Sequence, residues 1–390
     1  MVNQGNNDDN KSPSIFGVDF FVRPIEGGKG SFYAIDILRG IAAIGILLFH
    51  YKNFFVGSID IPMARMSENF FVQLLWPVHK YGANAVMLFW VISGFVFMHV
   101  YAGQQKTSSK SYAINRFARL YPLHLATLLL VTLLQFISFE TLDTSQIYQN
   151  NDLKHFGLQL LFASNWGFES GHSFNGPIWS VSIEMLIYVV FFVYFKTARI
   201  CLLSLCAVII AFLLLFAISD SMIALCGYYF FVGSLAYALW KVTLGFSQKS
   251  VFILGTAVFF AGIGTMILVN ALTIPAPLSL QLSFVFSALI FALAAGEKAF
   301  GNTTIKPLRW IGDITYSSYL LHSPIQIAFL LLAGNGLVDG SIILSPFFYA
   351  AYFGFVCITS WLTFKYFERP AQTFIRSKLS TRNSVNPATA

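Results

Sequence analysis

Residues 34–51 read AIDILRGIAAIGILLFHY. A run this apolar is long enough to cross a hydrocarbon core of roughly 30 Å as a single helix. Three strongly polar side chains interrupt it, Asp36, Arg39 and His50. Ionisable groups in a spanning helix cost several kcal/mol by the lower estimates, about 2.5 to 3.5 for a charge at the centre, so they usually mark a function. Arg39 and His50 are eleven residues apart. At 100° and 1.5 Å per residue that spacing returns them to within about 20° of one face, roughly 16 Å apart along the axis.

Similar apolar runs recur along the chain, and their bounding charges, prolines and glycines place helices near residues 34–54, 82–102, 118–139, 178–195, 200–218, 221–240, 251–270, 277–295, 311–333 and 346–365. The 390 residues are 56% hydrophobic and 11% charged, with mean hydropathy +0.68. Soluble domains carry about 25% charge, and backbone in lipid must satisfy its own hydrogen bonds, so the expected class is an all-α membrane protein. We expect about ten transmembrane helices around a polar cavity. Three segments follow: a polar stretch over 1–30, a membrane domain over 31–371 and a disordered polar tail over 372–390. No cleaved signal peptide and no fused soluble domain are expected.

The net charge of +7 comes from Lys and Arg lying between apolar runs, so orientation accounts for it without nucleic acid as a partner. With a cytoplasmic N-terminus, the inside loops collect Lys106, Lys110, Arg116, Arg119, Lys196, Arg199, Lys241, Lys249, Lys298, Lys306, Arg309 and the basic tail Arg369, Arg376, Lys378 and Arg382. The outside keeps Arg65, Lys80 and Lys154, with Lys52 at a helix end. Both termini are therefore expected on the cytoplasmic side of the membrane. The four cysteines, Cys201, Cys206, Cys226 and Cys357, all fall within apolar segments, without spacing for a metal site or a disulfide framework.

Four further segments carry candidate chemistry. NRFARLYPLHL sets Arg116 and Arg119 three residues apart, on one side of a helical turn before the third span. Paired guanidinium groups at a cytoplasmic edge suit the phosphates of a nucleotide-containing donor. FNGPIWSVSIEMLIYVVFF places Glu184 two turns into the fourth span, at a depth similar to His50, where a carboxylate must be paired or protonated. Imidazole titrates in the range that suits a general base, so Glu184 is expected to orient His50. RWIGDITYSSYLLHSPIQ puts His322 near the membrane midplane, followed after one residue by the kinking Pro324. The long segment 140–177, ending SNWGFESGHSFNGP, suits a lid or an acceptor-binding loop.

Taken in order, IDILRGIAA with His50, LFWVISGFVF, RFARLYPLHL, GPIWSVSIEMLIY, ITYSSYLLH and YFERPAQ resemble the acyltransferase-3 family of membrane O-acyltransferases. The likeness runs from about residue 34 to 370. It implies an acyl-CoA donor, acetyl-CoA foremost, bound from the cytoplasm, and an acceptor hydroxyl on a cell-surface glycan or lipid-linked saccharide, in contact with membrane lipid. It also implies that Arg39 and His50 match the family's spaced pair, Arg116 and Arg119 its RxxR motif, and Glu184 the acid of its WSLSxE segment. On this reading His50 and Glu184 are catalytic and Arg39, Arg116 and Arg119 bind the donor. Asn175, Trp179, Ser180 and His322 bind substrate, and no metal is used. Many members read GVDLFFVISGF where this chain has AVMLFWVISGF, so Met87 replaces a common acidic residue. The competing class is a multi-span transporter of an acylated lipid or small organic acid, which would not release free coenzyme A. A catalytically inactive scaffold is disfavoured by the presence of Arg39, His50 and Glu184.

Overall fold

A computed structural model describes residues 24–25, 27–28, 30–102 and 107–379. Every regular element among them is helical, and ten helices are long and apolar enough to cross a membrane. Their main helices are α1 (Tyr33–Phe49, continued by a 3-10 turn His50–Phe55), α2 (Ala85–Tyr101, within a span that begins at Trp76), α3 (Ser109–Leu142), α4 (Ile178–Thr197), α5 (Leu202–Ser219), α6 (Met222–Val242), α7 (Gln248–Ala271), α8 (Leu278–Phe300), α9 (Thr315–Gly334) and α10 (Pro346–Thr363, whose helix continues to Leu379). Each lies where an apolar run predicts it, because length and hydropathy are local properties of the chain. Lys106 and Arg382, part of the charge argument, lie outside the described residues.

Two boundaries differ from expectation. Helix α3 starts at Ser109, where the Ser108 side chain accepts from the Ser111 amide at 3.1 Å, so Arg116, ahead of the expected start at 118, lies inside the helix with Arg119. Hydropathy misses this turn because helix extends past the apolar span. At the other end of the chain, α10 runs through a π turn, Phe364–Glu368, directly into α11 (Arg369–Leu379). Residues 372–379 are thus helical and packed on α3, not a loose tail. Glu368 and Gln372 are buried there, and Gln372 Nε2 donates to Glu368 Oε1 at 3.1 Å.

The bundle has a central and a peripheral set. In α6, 72% of the apolar window is buried, against 11% in α5, so α5 presents most of its surface to lipid while α6 is enclosed. Helices α2 and α6 pack closely, and their approach depends on Gly94, where a Cβ would collide with the Phe230 carbonyl. Small residues at such crossings let backbones meet where no hydrophobic force drives helices together in lipid. A second cluster joins Tyr51 and Phe54 of the 3-10 turn to Tyr349, Tyr352 and Val356 of α10, which holds the end of α1 against α9 and α10.

Candidate active site

The α-helical part of α1 stops at Phe49, and His50 opens the tighter turn. Its ring meets α9: His50 Nδ1 lies 2.8 Å from His322 Nε2, with the two rings only 13° from parallel. His322 is fully buried, and its Nδ1 lies 3.2 Å from the Ser318 carbonyl one turn earlier. A carbonyl can only accept, so Nδ1 of His322 carries the hydrogen and Nε2 is the acceptor. His50 must then donate from Nδ1, which leaves the lone pair on its own Nε2. One more turn along the same face of α9, Gln326 Nε2 donates to the His50 carbonyl at 2.8 Å, and Gln326 Oε1 accepts from Asn53 Nδ2 at 3.2 Å. Ser318, His322 and Gln326, four residues apart on one helix, therefore hold His50 by both ring and backbone.

The pairing expected between Glu184 and His50 is not formed. Glu184 Oε1 accepts from the Tyr188 hydroxyl at 2.7 Å, and the carboxylate lies beside Ser93. The depth of Glu184 along α4 was legible, but the rotation of α4 turns this carboxylate toward α2 and the arginines. Glu184 lines a cavity of about 170 Å³ together with Arg39, Arg116, Arg119, Ser180 and Tyr319. Arg39 Nη2 donates to the Gly312 carbonyl at 3.1 Å and lies 3.3 Å from Asp36. A side chain at 312 would strike the Asp36 backbone, so a glycine is needed for this approach. The Arg116 guanidinium lies over the Phe97 ring at 4.7 Å and donates to the Tyr101 hydroxyl at 3.3 Å. Arg119 pairs with the buried Glu368 at 3.7 Å, and Ser317 donates to the other oxygen of that carboxylate at 2.6 Å.

The structure brings together the three arginines, Glu184 and Ser180, while His50 and His322 lie behind the cavity wall. Tyr319 links the two parts. It lines the cavity, its ring centroid is 6.0 Å from that of His322, and its hydroxyl donates to the Pro177 carbonyl at 2.9 Å and meets Ser180 Oγ at 2.7 Å.

Asn175 has a structural task. Pro324 has no amide hydrogen, so the Leu320 carbonyl one turn earlier loses its helical partner, and Asn175 Nδ2 donates to that carbonyl at 3.1 Å. Its Oδ1 is buried without a partner among the described residues. Trp179 stands between two cavities: it meets Trp90, a wall residue of the larger one, edge to face at 6.1 Å. It also borders a polar space of about 10 Å³ with His155, Gln159, Ser164, Glu169 and His172. That is room for about one water or hydroxyl group. Gln159 Oε1, Ser164 Oγ and Glu169 Oε2 face burial there without partners among the described residues. Burial lowers the His172 imidazole below its ordinary range and raises the Glu169 carboxyl. His172 is within electrostatic reach of His50.

Sequence reasoning assigned no part to Glu368, Ser317, Tyr319 or Gln326. Glu368 carried a usable signal, a single acid between the last apolar run and the basic residues after it.

Fold and site together define a polytopic helical membrane protein whose internal cavity gathers guanidinium groups, with a pair of histidines nearby, one of them buried. The acyltransferase-domain family model, that of the acyltransferase-3 family, matches residues 32–365, and the chain belongs to this family. The chain is also similar to Acyltransferase MdmB of Streptomyces mycarofaciens, with 32% identity over 123 residues, or 30% of this chain and 30% of that protein. The aligned stretch thus spans under a third of the relative. No solved structure matches the chain.

Proposed function

We propose that this protein is a membrane O-acyltransferase that moves an acyl group, acetyl in the first instance, from cytoplasmic acyl-CoA to a hydroxyl of a cell-surface glycan or lipid-linked saccharide. The observation that carries this reading is the Ser318–His322–His50 chain, which leaves a basic nitrogen on His50 beyond a cavity lined by three arginines. The arginine end of the bundle faces the cytoplasm of a bacterial inner membrane in this reading. Both termini lie there too, in keeping with an even number of spans and the positive-inside rule.

In the proposed reaction Arg116 and Arg119, with Arg39 nearby, hold the donor phosphates. The pantetheine arm extends past Tyr319, a distance comparable to the roughly 16 Å between residues 39 and 50 along a helix. The acceptor hydroxyl gives its proton to His50 Nε2 as its oxygen attacks the thioester carbonyl. The tetrahedral intermediate then expels coenzyme A thiolate, which takes the proton from His50 and leaves as the thiol. One ester bond forms, one thioester bond breaks, and no metal or redox partner is required. His322 stabilises the imidazolium through the Nδ1 hydrogen bond, in the role first expected of Glu184. Trp179 and the small polar space beside it suit the approach of the acceptor from the opposite side, with a hydroxyl seated near His172.

The test is acceptor-dependent release of free coenzyme A by purified protein given acetyl-CoA, with mass spectrometry of surface glycans from cells with and without the gene. His50→Ala is expected to lower the rate about 100- to 10,000-fold while the protein still inserts. A transporter would release no coenzyme A above background. Near-normal product from His50→Ala would remove His50 from the mechanism.

A further inference from the structure

The helix that follows the last span carries a functional group that neither its sequence nor the cavity walls single out. Glu368, Gln372 and Arg376 are each four residues apart, so they fall on one face of the continuous helix through Glu368 and α11. That face is turned to α3. Glu368 holds Arg119, Gln372 holds Glu368, and the next position along the stripe, Arg376, comes within electrostatic reach of Arg116, Arg119 and the Tyr101 hydroxyl. Tyr101 is also the hydroxyl to which Arg116 donates.

Close carboxylate pairing is incomplete at this point, although Glu184 lies within electrostatic reach of Arg116 and Arg39. Asp36 faces Arg39 and Glu368 faces Arg119. Among the described residues, Arg116 and Arg376 have no carboxylate within 4.0 Å. The Nε atoms of Arg39, Arg116 and Arg376 are all buried without a hydrogen-bond partner among the described residues. Guanidinium groups repel one another and are costly to withdraw from water unpaired. Gathering them with unpartnered N–H donors favours an anion with several acceptor oxygens, and the planar fork of arginine matches phosphate oxygens in pairs.

We infer that Arg376, carried by the helix after the last span, completes with Arg116 and Arg119 a binding site for phosphate groups, and that these are the phosphates of the coenzyme A donor. The inference rests on the donor proposed above. It adds a residue from outside the membrane domain expected from the sequence, and it makes α11 part of the donor site. Because Gln372 and Glu368 lie between Arg376 and the span, the donor end of the cavity is assembled only when this helix is docked on α3.

The experiment is calorimetric titration of purified protein with coenzyme A and, separately, with pantetheine, which lacks the phosphates. Wild type, Arg376→Gln and Arg376→Lys are compared in detergent and in nanodiscs of neutral lipid with and without phosphatidylglycerol. The Gln variant is expected to bind coenzyme A about 10- to 100-fold more weakly, with pantetheine unchanged. The Lys variant, which keeps the charge and the packing of the stem but not the fork, should fall between them and serves as the readout if the Gln variant does not fold. Equal coenzyme A affinity in all three proteins overturns the role of Arg376 and leaves the donor proposal standing. Wild type that binds no coenzyme A overturns both. If phosphatidylglycerol stabilises wild type but not the Gln variant while coenzyme A affinity is unaffected by the substitution, the phosphate is that of a lipid headgroup and the donor assignment of this site is overturned.

Discussion

Replacing His322 with leucine removes the acceptor that holds the His50 ring while keeping an apolar side chain in a fully buried position. In the wild-type protein His50 Nδ1 donates to His322 Nε2 over 2.8 Å. When His50 takes the proton of the acceptor hydroxyl this bond becomes charge-assisted. Such bonds contribute about 1.5 to 3 kcal/mol, more than the roughly 1 kcal/mol of a neutral one. The neutral ground state loses its bond as well, so only the excess in the charged state, about 0.5 to 2 kcal/mol, slows the step, and kcat falls by about 2- to 30-fold. Leucine also frees the His50 ring to place its hydrogen on Nε2, the nitrogen that must stay basic. The loss should therefore appear in kcat, with the KM for acetyl-CoA nearly unchanged, because the arginines proposed to hold the donor lie on the other side of Tyr319. His322→Gln offers a side-chain oxygen as a substitute acceptor and should recover part of the rate. The assay is release of coenzyme A thiol at saturating donor, with the melting temperature of each variant measured alongside. A His322→Leu enzyme whose kcat stays within about twofold of wild type refutes the orienting role, whatever its stability.

Two other outcomes follow from the same geometry. Arg116→Lys and Arg119→Lys keep the charge that orients α3 but lose the planar fork, so both should insert normally and need a markedly higher acetyl-CoA concentration for half-maximal rate; unchanged donor dependence in the single and double variants would leave topology as their whole role. Glu184→Gln should lower activity by disturbing the contacts with Tyr188 and Ser93. In a double-mutant cycle with His322→Leu the two losses should add in free energy, since Glu184 is not bonded to the histidine pair; a coupling of about 1 kcal/mol or more would count against that separation.

The candidate site residues were visible one at a time. Arg39, His50, Arg116, Arg119 and Glu184 stand out because a polar group in an apolar run is costly wherever it is placed. Their grouping was less legible. The stripes Ser180, Glu184 and Tyr188 on α4 and Ser318, His322 and Gln326 on α9 mark an inward face by their spacing, but not which neighbouring helix each side chain meets. A quarter-turn of α4 would change the partner of Glu184 while leaving its depth the same. Asn175 shows the same limit, since its bond to the Leu320 carbonyl depends on a gap made by Pro324 in a helix about 150 residues further along.

The amino-acid sequence by itself determined the membrane-spanning helical class, the approximate bounds of ten spans, the distribution of positive charge and the order of the family's motifs. Each of these is set by local length, hydropathy and spacing, which the backbone must obey before any helix meets another. Only the tertiary structure decided that His50 is held by His322 rather than Glu184, that Glu368 secures Arg119, and that the residues after the last span return to α3 as a helix. Those outcomes depend on the rotation and approach of helices packed in an apolar medium. There the close fit of side chains and the need to satisfy every buried polar atom select one arrangement from many that share the same pattern.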